Sequence, residues 1–142
     1  MRVLALDYGA ARCGCAISDP TGTLVRPLKA LEPPDPDRVA RLVAAEEAER
    51  VVVGLPVSLG GEDTAQTRVS REFAAKLGDL LDVPVETYDE RLTTAMAART
   101  AREGASGDPD SLAAAHLLES YLGSMSRQGV PGREAEETPS DE

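Results

Sequence analysis

Three acidic residues in this sequence occupy positions where a carboxylate is expected to be partly removed from water. The apolar run at residues 3–6 predicts a strand that ends on Asp7. Glu90 lies just beyond a later predicted strand, and Asp110 lies in the first turn of the last predicted helix. An ionised carboxylate removed from water is very unfavourable unless it is paired, hydrogen-bonded or bound to a metal. We therefore treat the three acids as candidates for one functional site.

Asp110 has an informative helical phase. The residues four, seven and eleven positions further along are Ala114, Leu117 and Tyr121, so Asp110 falls on the apolar stripe of the helix. We expect its carboxylate to point towards the sheet. The alternative is a first-turn acid stabilised by the helix dipole, although Asp108 already supplies the predicted N-cap.

Glu90 has a simpler alternative, which is a surface acid that pairs with Arg91 or Arg12. Taken together, however, the three acids predict a carboxylate cluster, and clustered carboxylates repel one another unless cations lie between them. Oxygen-only ligands favour Mg²⁺ or Mn²⁺. One or two such ions are a standard means of phosphodiester hydrolysis. No Ser-His-Asp arrangement competes, because the single histidine, His116, lies mid-helix and off the stripe.

The strands and helices that must position these acids follow from hydrophobic periodicity and turn signals. Predicted strands cover residues 2–7, 13–18, 23–31, 50–55 and 83–88. Predicted helices run from residue 36 to about 49, from about 63 to 81, from 93 or 94 to about 103, and from 108–109 through 122.

This order predicts an α/β fold with a five-stranded mixed sheet and helices on both faces. Short turns join the first three strands into an antiparallel meander. Alternation of strands and helices in the second half implies right-handed crossovers. Strands one, four and five would then run parallel in the middle, and sites form where the carboxyl ends of such strands meet.

The predicted packing rests on helical stripes and on two small thiols. The sequence predicts core residues Val39, Leu42 and Val43 in the first helix, Val69, Phe73, Leu77 and Leu80 in the second, and buried free Cys13 and Cys15. It predicts a solvated face made of Arg38, Arg41, Glu46 and Glu47.

Composition places the chain among soluble globular proteins. We expect one domain at residues 1–122 and a disordered acidic tail at 123–142. The formal charge of −10 argues against a broad nucleic-acid surface held by charge alone, although bound cations can supply local positive charge. There is no 18-residue apolar run and no signal-peptide pattern, so we expect no membrane association and a cytoplasmic location.

Four segments resemble the YqgF family, in order and spacing: LDYGAARCGCAISD, VVVGLPVSLGG, ETYDERLTT and DSLAAAHLLESYL. Members are small bacterial proteins with an RNase H-like fold, described as pre-16S rRNA nucleases and as Holliday-junction-resolvase-like. The resemblance covers about residues 2–122 and implies that Asp7, Glu90 and Asp110 are the catalytic, metal-binding acids. It also carries a first-turn substrate contact to Arg12, with Ala11 standing where the family usually has Lys or another polar residue.

Arginines near the predicted site are candidates for substrate contact. Arg91 directly follows Glu90, and Arg99 and Arg102 are neighbours on one face of the predicted third helix. All three can contact phosphates. A solvated helix face is the alternative for Arg99 and Arg102.

We therefore expect a metal-dependent nuclease that processes the 5′ end of precursor 16S rRNA in ribosome biogenesis. The first alternative is the same chemistry on branched DNA, as a Holliday-junction resolvase. The second is a non-catalytic factor in ribosome assembly or transcription. The third is an ATP-binding protein of the actin, chaperone and sugar-kinase group, which the length of 142 residues opposes because those folds need two such domains. The sequence indicates no oligomeric state.

Overall fold

The computed structural model describes residues 1–92 and 109–127. The strands in these ranges are β1 (Val3–Tyr8), β2 (Cys13–Ser18), β3 (Val25–Leu31), β4 (Arg50–Leu55) and β5 (Val85–Asp89). The α-helices are α1 (Pro36–Glu46), α2 (Ala65–Leu80) and α3 (Leu112–Arg127), and 3₁₀ turns occupy Glu90–Leu92 and Pro109–Ser111. Within the described ranges, no helix is both long enough and apolar enough to span a membrane.

The five strands form one mixed sheet in the order β3-β2-β1-β4-β5. β1 pairs antiparallel with β2, and β2 with β3, while β4 lies parallel to both β1 and β5. This confirms the predicted topology. The apolar central strands β1 and β4 are buried on both faces, as is typical of parallel strands between helical layers.

Side-chain alternation along the strands separates two apolar layers. Leu4 and Leu6 of β1 pack with residues of α1 and α2, together with the buried free thiols Cys13 and Cys15. Val3 and Ala5 face the other way and pack with residues of α3. Helices therefore cover both faces of the sheet, as predicted.

Helix α1 begins as the sequence predicts and ends earlier. Asp35 caps it by accepting a hydrogen bond from the Asp37 backbone N–H at 2.8 Å, and Pro36 is the first helical residue. Glu47 adopts a left-handed conformation, with φ of 56°, which ends the helix before the predicted limit near residue 49.

Glu46 does not belong to a solvated face, and that prediction is wrong for this residue. Its side chain is 22% exposed and lies 3.2 Å from Arg2 and 3.4 Å from Arg26. Arg2, which precedes β1, and Arg26 of β3 therefore hold this helical carboxylate against the sheet. These ion pairs join residues that are distant in sequence, so they cannot be predicted from the periodicity of the helix.

Helix α2 buries a narrower stripe than predicted. Phe73 and Leu77 are buried, but Val69 is 40% exposed and Leu80 is 45% exposed, so the prediction was wrong for these two. Small residues complete the buried stripe instead: Thr67, Ser70 and Ala74. Thr67 also forms a capping box with Thr64, so the helix begins at Ala65 rather than near residue 63.

The last helix continues beyond its predicted end at residue 122, because α3 runs to Arg127. The predicted tail therefore starts too early, as its first residues are helical. Residues 128–142 of that tail lie outside the described residues, as do the predicted third helix with Arg99 and Arg102 and the predicted cap Asp108.

Candidate active site

Asp7 lies on the α3 side of the sheet, near the carboxyl end of β1. It has the same strand phase as Val3 and Ala5, whose side chains pack beneath α3. The Asp7 side chain is half-buried. Burial raises the pKa of the Asp7 carboxyl above its ordinary value. The expectation of a carboxylate held at a strand end, partly out of water, is therefore confirmed.

Glycines flank Asp7 on both neighbouring strands. Gly14 of β2 pairs directly with Asp7. On the other side Leu6 pairs with Val53, so Gly54 is the next residue of β4 as Asp7 is the next residue of β1. On this face, neighbouring groups fill the space that a Cβ atom of either glycine would take.

Each glycine admits a group that a larger residue would exclude. A Cβ atom on Gly54 would lie 2.7 Å from Glu90 Oε2, and one on Gly14 would lie 2.2 Å from the carbonyl oxygen of Asp110. Neither glycine was predicted as a site residue, although both lie within predicted strands. The available signal was a glycine inside a strand, which often marks a close approach.

Glu90 follows β5 in a 3₁₀ turn and reaches back over the sheet towards Asp7. Its side chain is half-buried. Burial raises the pKa of the Glu90 carboxyl, and the negative charges of Asp7 and Asp89 raise it further. The structure therefore brings two of the three predicted acids close enough to repel each other.

Asp110 presents its backbone, not its carboxylate, to this part of the sheet. Its carbonyl oxygen packs on Gly14, and the neighbouring Ser111 hydroxyl accepts a hydrogen bond of 3.0 Å from the Cys15 backbone N–H. The carboxylate is 44% exposed and lies 2.9 Å from Arg12 Nη1. The expectation that it lies on the buried stripe is wrong.

The reason is the local backbone. Residues 109–111 form a 3₁₀ turn with three residues per turn, so the α-helical phase does not extend back to Asp110. From Ala114 onwards the phase holds, because Ala114, Leu117 and Tyr121 are buried as predicted. His116 is half-buried, which agrees with its predicted place off the apolar stripe.

Both candidate substrate-binding arginines contact acids in this structure. Arg12 pairs with Asp110 and also lies 3.6 Å from Glu32. Arg91 pairs with Asp89, lowering the pKa of the Asp89 carboxyl, and donates a hydrogen bond of 3.1 Å to the carbonyl of Leu59. Arg91 therefore ties the end of β5 to the loop after β4.

The donor set suits a hard divalent cation, although the third acid stands apart. Among residues 1–92 and 109–127, no group of three or more His, Cys, Asp or Glu side chains is arranged to hold a metal ion. Asp7 and Glu90 nevertheless lie close enough for their charges to interact, and a cation between them would relieve their repulsion.

Comparison with known sequences gives a consistent family. A family model described as "RuvX: Holliday junction resolvase" matches residues 1–124. A protein of Maridesulfovibrio salexigens named "Putative pre-16S rRNA nuclease" is 38% identical, over 86% of this chain and 98% of its own length. One of the same name in Thermobifida fusca is 48% identical, over 72% of this chain and 67% of its own length.

Solved structures share the fold at low sequence identity. RuvC of Thermus thermophilus matches with a TM-score of 0.63 and 16% identity, over 92% of this chain and 98% of RuvC. The fowlpox virus Holliday junction resolvase matches with a TM-score of 0.52 and 14% identity, over 87% of this chain and 99% of the viral protein. The mixed sheet with its helices is thus a RuvC-like, RNase H-like fold, as predicted.

Proposed function

This chain belongs to the RuvX family of nucleases, also called YqgF, and from that premise we propose that it is a metal-dependent phosphodiester hydrolase that processes the 5′ end of precursor 16S rRNA. The observation that carries the proposal is that Glu90 lies over Gly54, next to Asp7, where the charges of the two carboxylates repel each other. Two half-buried carboxylates whose negative charges repel each other are better explained by a shared ligand than by stability.

The carboxylates of Asp7 and Glu90 would hold one or two Mg²⁺ or Mn²⁺ ions, and Asp110 would add a third carboxylate on leaving Arg12. When bound, such ions activate a water molecule and stabilise the leaving oxygen of a phosphodiester. The burial that raises the pKa values of Asp7 and Glu90 also excludes water from the ligands, which strengthens their interaction with a cation.

The arginines have separate tasks in this proposal. Arg12 lies at the exposed rim beside Asp110, where its guanidinium can exchange a carboxylate for a substrate phosphate. Arg91 is bound to Asp89 and to the Leu59 carbonyl, so it positions the loop after β4 next to Glu90 while retaining exposed surface for a phosphate. A cytoplasmic location follows from this substrate.

The proposal is tested with the full-length protein and an RNA that joins the 5′ leader to the start of 16S rRNA. With Mg²⁺ or Mn²⁺ we expect cleavage at the leader junction. Asp7→Asn should lower the rate by more than about 100-fold, since it removes a metal ligand. Asp79→Asn, an exposed change on α2, is the matched control. Cleavage that survives Asp7→Asn unchanged would overturn the proposal.

A second candidate is the same chemistry on a four-way DNA junction, which the description of the family model favours. The same preparations should be given matched RNA and junction substrates. Paired symmetric nicks in the junction, without RNA cleavage, would identify branched DNA as the substrate. Tight RNA binding without cleavage of either substrate would instead indicate a non-catalytic factor in ribosome assembly or transcription.

A further inference from the structure

A groove of about 540 Å³ lies between the edge strand β3 and helix α1. We call it the β3–α1 groove. Its lining residues are Leu28, Lys29, Ala30, Leu31, Glu32, Arg38, Leu42, Glu46 and Asp110. Its volume falls in the range of about 300–1,000 Å³ that is usual for ligand sites in proteins.

One end of the groove lies at the same end of the sheet as the candidate active site, although the groove borders α1 and Asp7 is on the α3 face. Strand β3 runs in the same direction as β1, because each of them is antiparallel to β2. Its last residue, Leu31, pairs with Cys13 next to Gly14, so β3 ends at the same sheet edge as Asp7. Asp110 lies at this end, and the groove leads away from it along β3.

The acids that line the groove are all paired with arginines. Glu32 and Asp110 lie 3.6 and 2.9 Å from Arg12. Glu46 lies 3.2 Å from Arg2 and 3.4 Å from Arg26. Within the groove the negative charges are therefore compensated by neighbouring cations.

The two cations of the groove are not compensated in the same way. Within the described ranges, the side chains of Lys29 and Arg38 form no ion pair and no hydrogen bond. Lys29 stands on β3 and Arg38 on the facing turn of α1, so they border the groove from both sides. Lys29 is about 10 Å from Glu32 by strand rise.

We propose that the β3–α1 groove binds the phosphate backbone of a single-stranded segment that adjoins the cleaved phosphodiester, with Lys29 and Arg38 as the phosphate contacts. The proposal rests on the proposed nuclease function. Paired acids leave the groove with two uncommitted cations in an otherwise acidic protein, which matches a polyanion better than a neutral ligand. The apolar wall of Leu28, Leu31 and Leu42 can contact the bases.

The test measures RNA binding by full-length Asp7→Asn protein, so that cleavage does not interfere. Two ligands are compared, a hairpin and the same hairpin with a single-stranded extension of about eight nucleotides. The groove variant adds Lys29→Gln and Arg38→Gln. The control variant adds Lys76→Gln and Arg68→Gln, which remove the same charges from the exposed surface of α2.

In the Asp7→Asn parent and in the control variant, we expect the extension to tighten binding and to steepen the salt dependence. Each phosphate contact with a single strand contributes about 0.7 to the slope of log K against log salt, so two contacts contribute about 1.4. The groove variant should lose this difference between the two RNAs. An extension effect that is absent from the parent, or equal in the groove and control variants, would overturn the proposal.

These outcomes are separable from failure of the proposed function. Cleavage is measured on the same RNAs with the protein that retains Asp7. If the protein cleaves RNA but the effect of the extension is the same without Lys29 and Arg38, only the groove proposal is rejected. An extension effect that depends on the groove, in a protein that cleaves nothing, would remove the nuclease proposal and keep the groove as a nucleic-acid site.

Discussion

The guanidinium of Arg12 and the carboxylate of Asp110 form an ion pair of 2.9 Å at the edge of the candidate active site. The backbone of Asp110 is fixed on β2 through its packing on Gly14. The backbone of Asp110 thus packs on the sheet beside Asp7, while its carboxylate points outwards to Arg12. In the proposed function, Arg12 would therefore compete with a cation for the carboxylate of Asp110.

The first prediction concerns this competition. In RNA-free protein, Arg12→Gln should tighten Mg²⁺ binding by about two- to fivefold, because an exposed ion pair contributes up to about 1 kcal/mol. Calorimetric titration measures the change. The gain should vanish when Asp110→Asn is combined with Arg12→Gln. Unchanged or weaker Mg²⁺ binding in the single variant would show that Arg12 does not restrain the acid.

The second prediction concerns Gly54. Gly54→Ala places a Cβ atom 2.7 Å from Glu90 Oε2 and 3.1 Å from Leu117 Cδ2, so the Glu90 carboxylate must move. We expect Mg²⁺ affinity to fall at least about tenfold, by the range for disturbed metal ligands, and the free energy of unfolding to fall by about 1–3 kcal/mol. Titration and urea unfolding measure the two effects.

Gly78 provides the matched control for Gly54. It lies in α2 with nothing within 4 Å of an added Cβ atom. Gly78→Ala should stabilise the protein by about 0.5–1 kcal/mol through helix propensity alone, with no effect on Mg²⁺ binding. Equal Mg²⁺ affinity in both alanine variants would contradict the role given to the space above Gly54.

The third prediction concerns Gly14, whose added Cβ atom would meet backbone rather than side chain. The clash of 2.2 Å is with the carbonyl oxygen of Asp110, so Gly14→Ala must lift the turn at residues 109–111 from β2. We expect a loss of about 1–3 kcal/mol in unfolding free energy. Hydrogen exchange at the Cys15 amide, which donates to Ser111, should become faster. Unchanged exchange would refute the displacement.

The fourth prediction concerns pH. Because burial raises the folded-state pKa values of Asp7 and Glu90, the folded protein binds protons more tightly than the unfolded chain between the ordinary and the raised values. This contribution stabilises the fold at low pH and is lost as pH rises through the raised pKa values. In EDTA at neutral pH, Asp7→Asn should therefore be more stable than the parent protein.

Urea unfolding across the acidic range measures this effect. The advantage of Asp7→Asn should shrink as pH falls through the raised pKa values, and Asp79→Asn should show no such pattern. Nuclease activity of the parent protein should also fall as pH falls through the raised pKa values, since protonated carboxyls do not bind cations. A less stable Asp7→Asn protein at neutral pH would mean that the ionised Asp7 carboxylate stabilises the fold.

The sheet could be predicted because local signals agree with its topology. Short turns around the first three strands leave little choice but a meander, and the β-branched run at 51–53 requires a strand covered on both faces. Asp7 and Glu90 could be found for the same reason, since each lies near the end of a strand whose place in the sheet was predicted.

The remaining details depend on contacts between distant residues. The direction of the Asp110 carboxylate follows from a 3₁₀ turn and from the ion pair with Arg12. Neither can be predicted from the α-helical periodicity of the sequence. The exposure of Val69 and Leu80 follows from how closely α2 approaches the sheet through Thr67 and Ser70. The glycines in the strands could be read from the sequence, but their role could not, because it depends on where Glu90 and Asp110 pack in the fold.

The contact between Cys15 and Ser111 joins positions 96 residues apart in sequence. During synthesis, Asp7 and Glu90 emerge from the ribosome before Ser111. Until Ser111 has emerged, the chain lacks the turn that packs on this side of the sheet. The last helix is thus the closing element of the site. An enzyme whose proposed substrate belongs to the ribosome would then mature only after nearly the whole domain has left the ribosome that makes it.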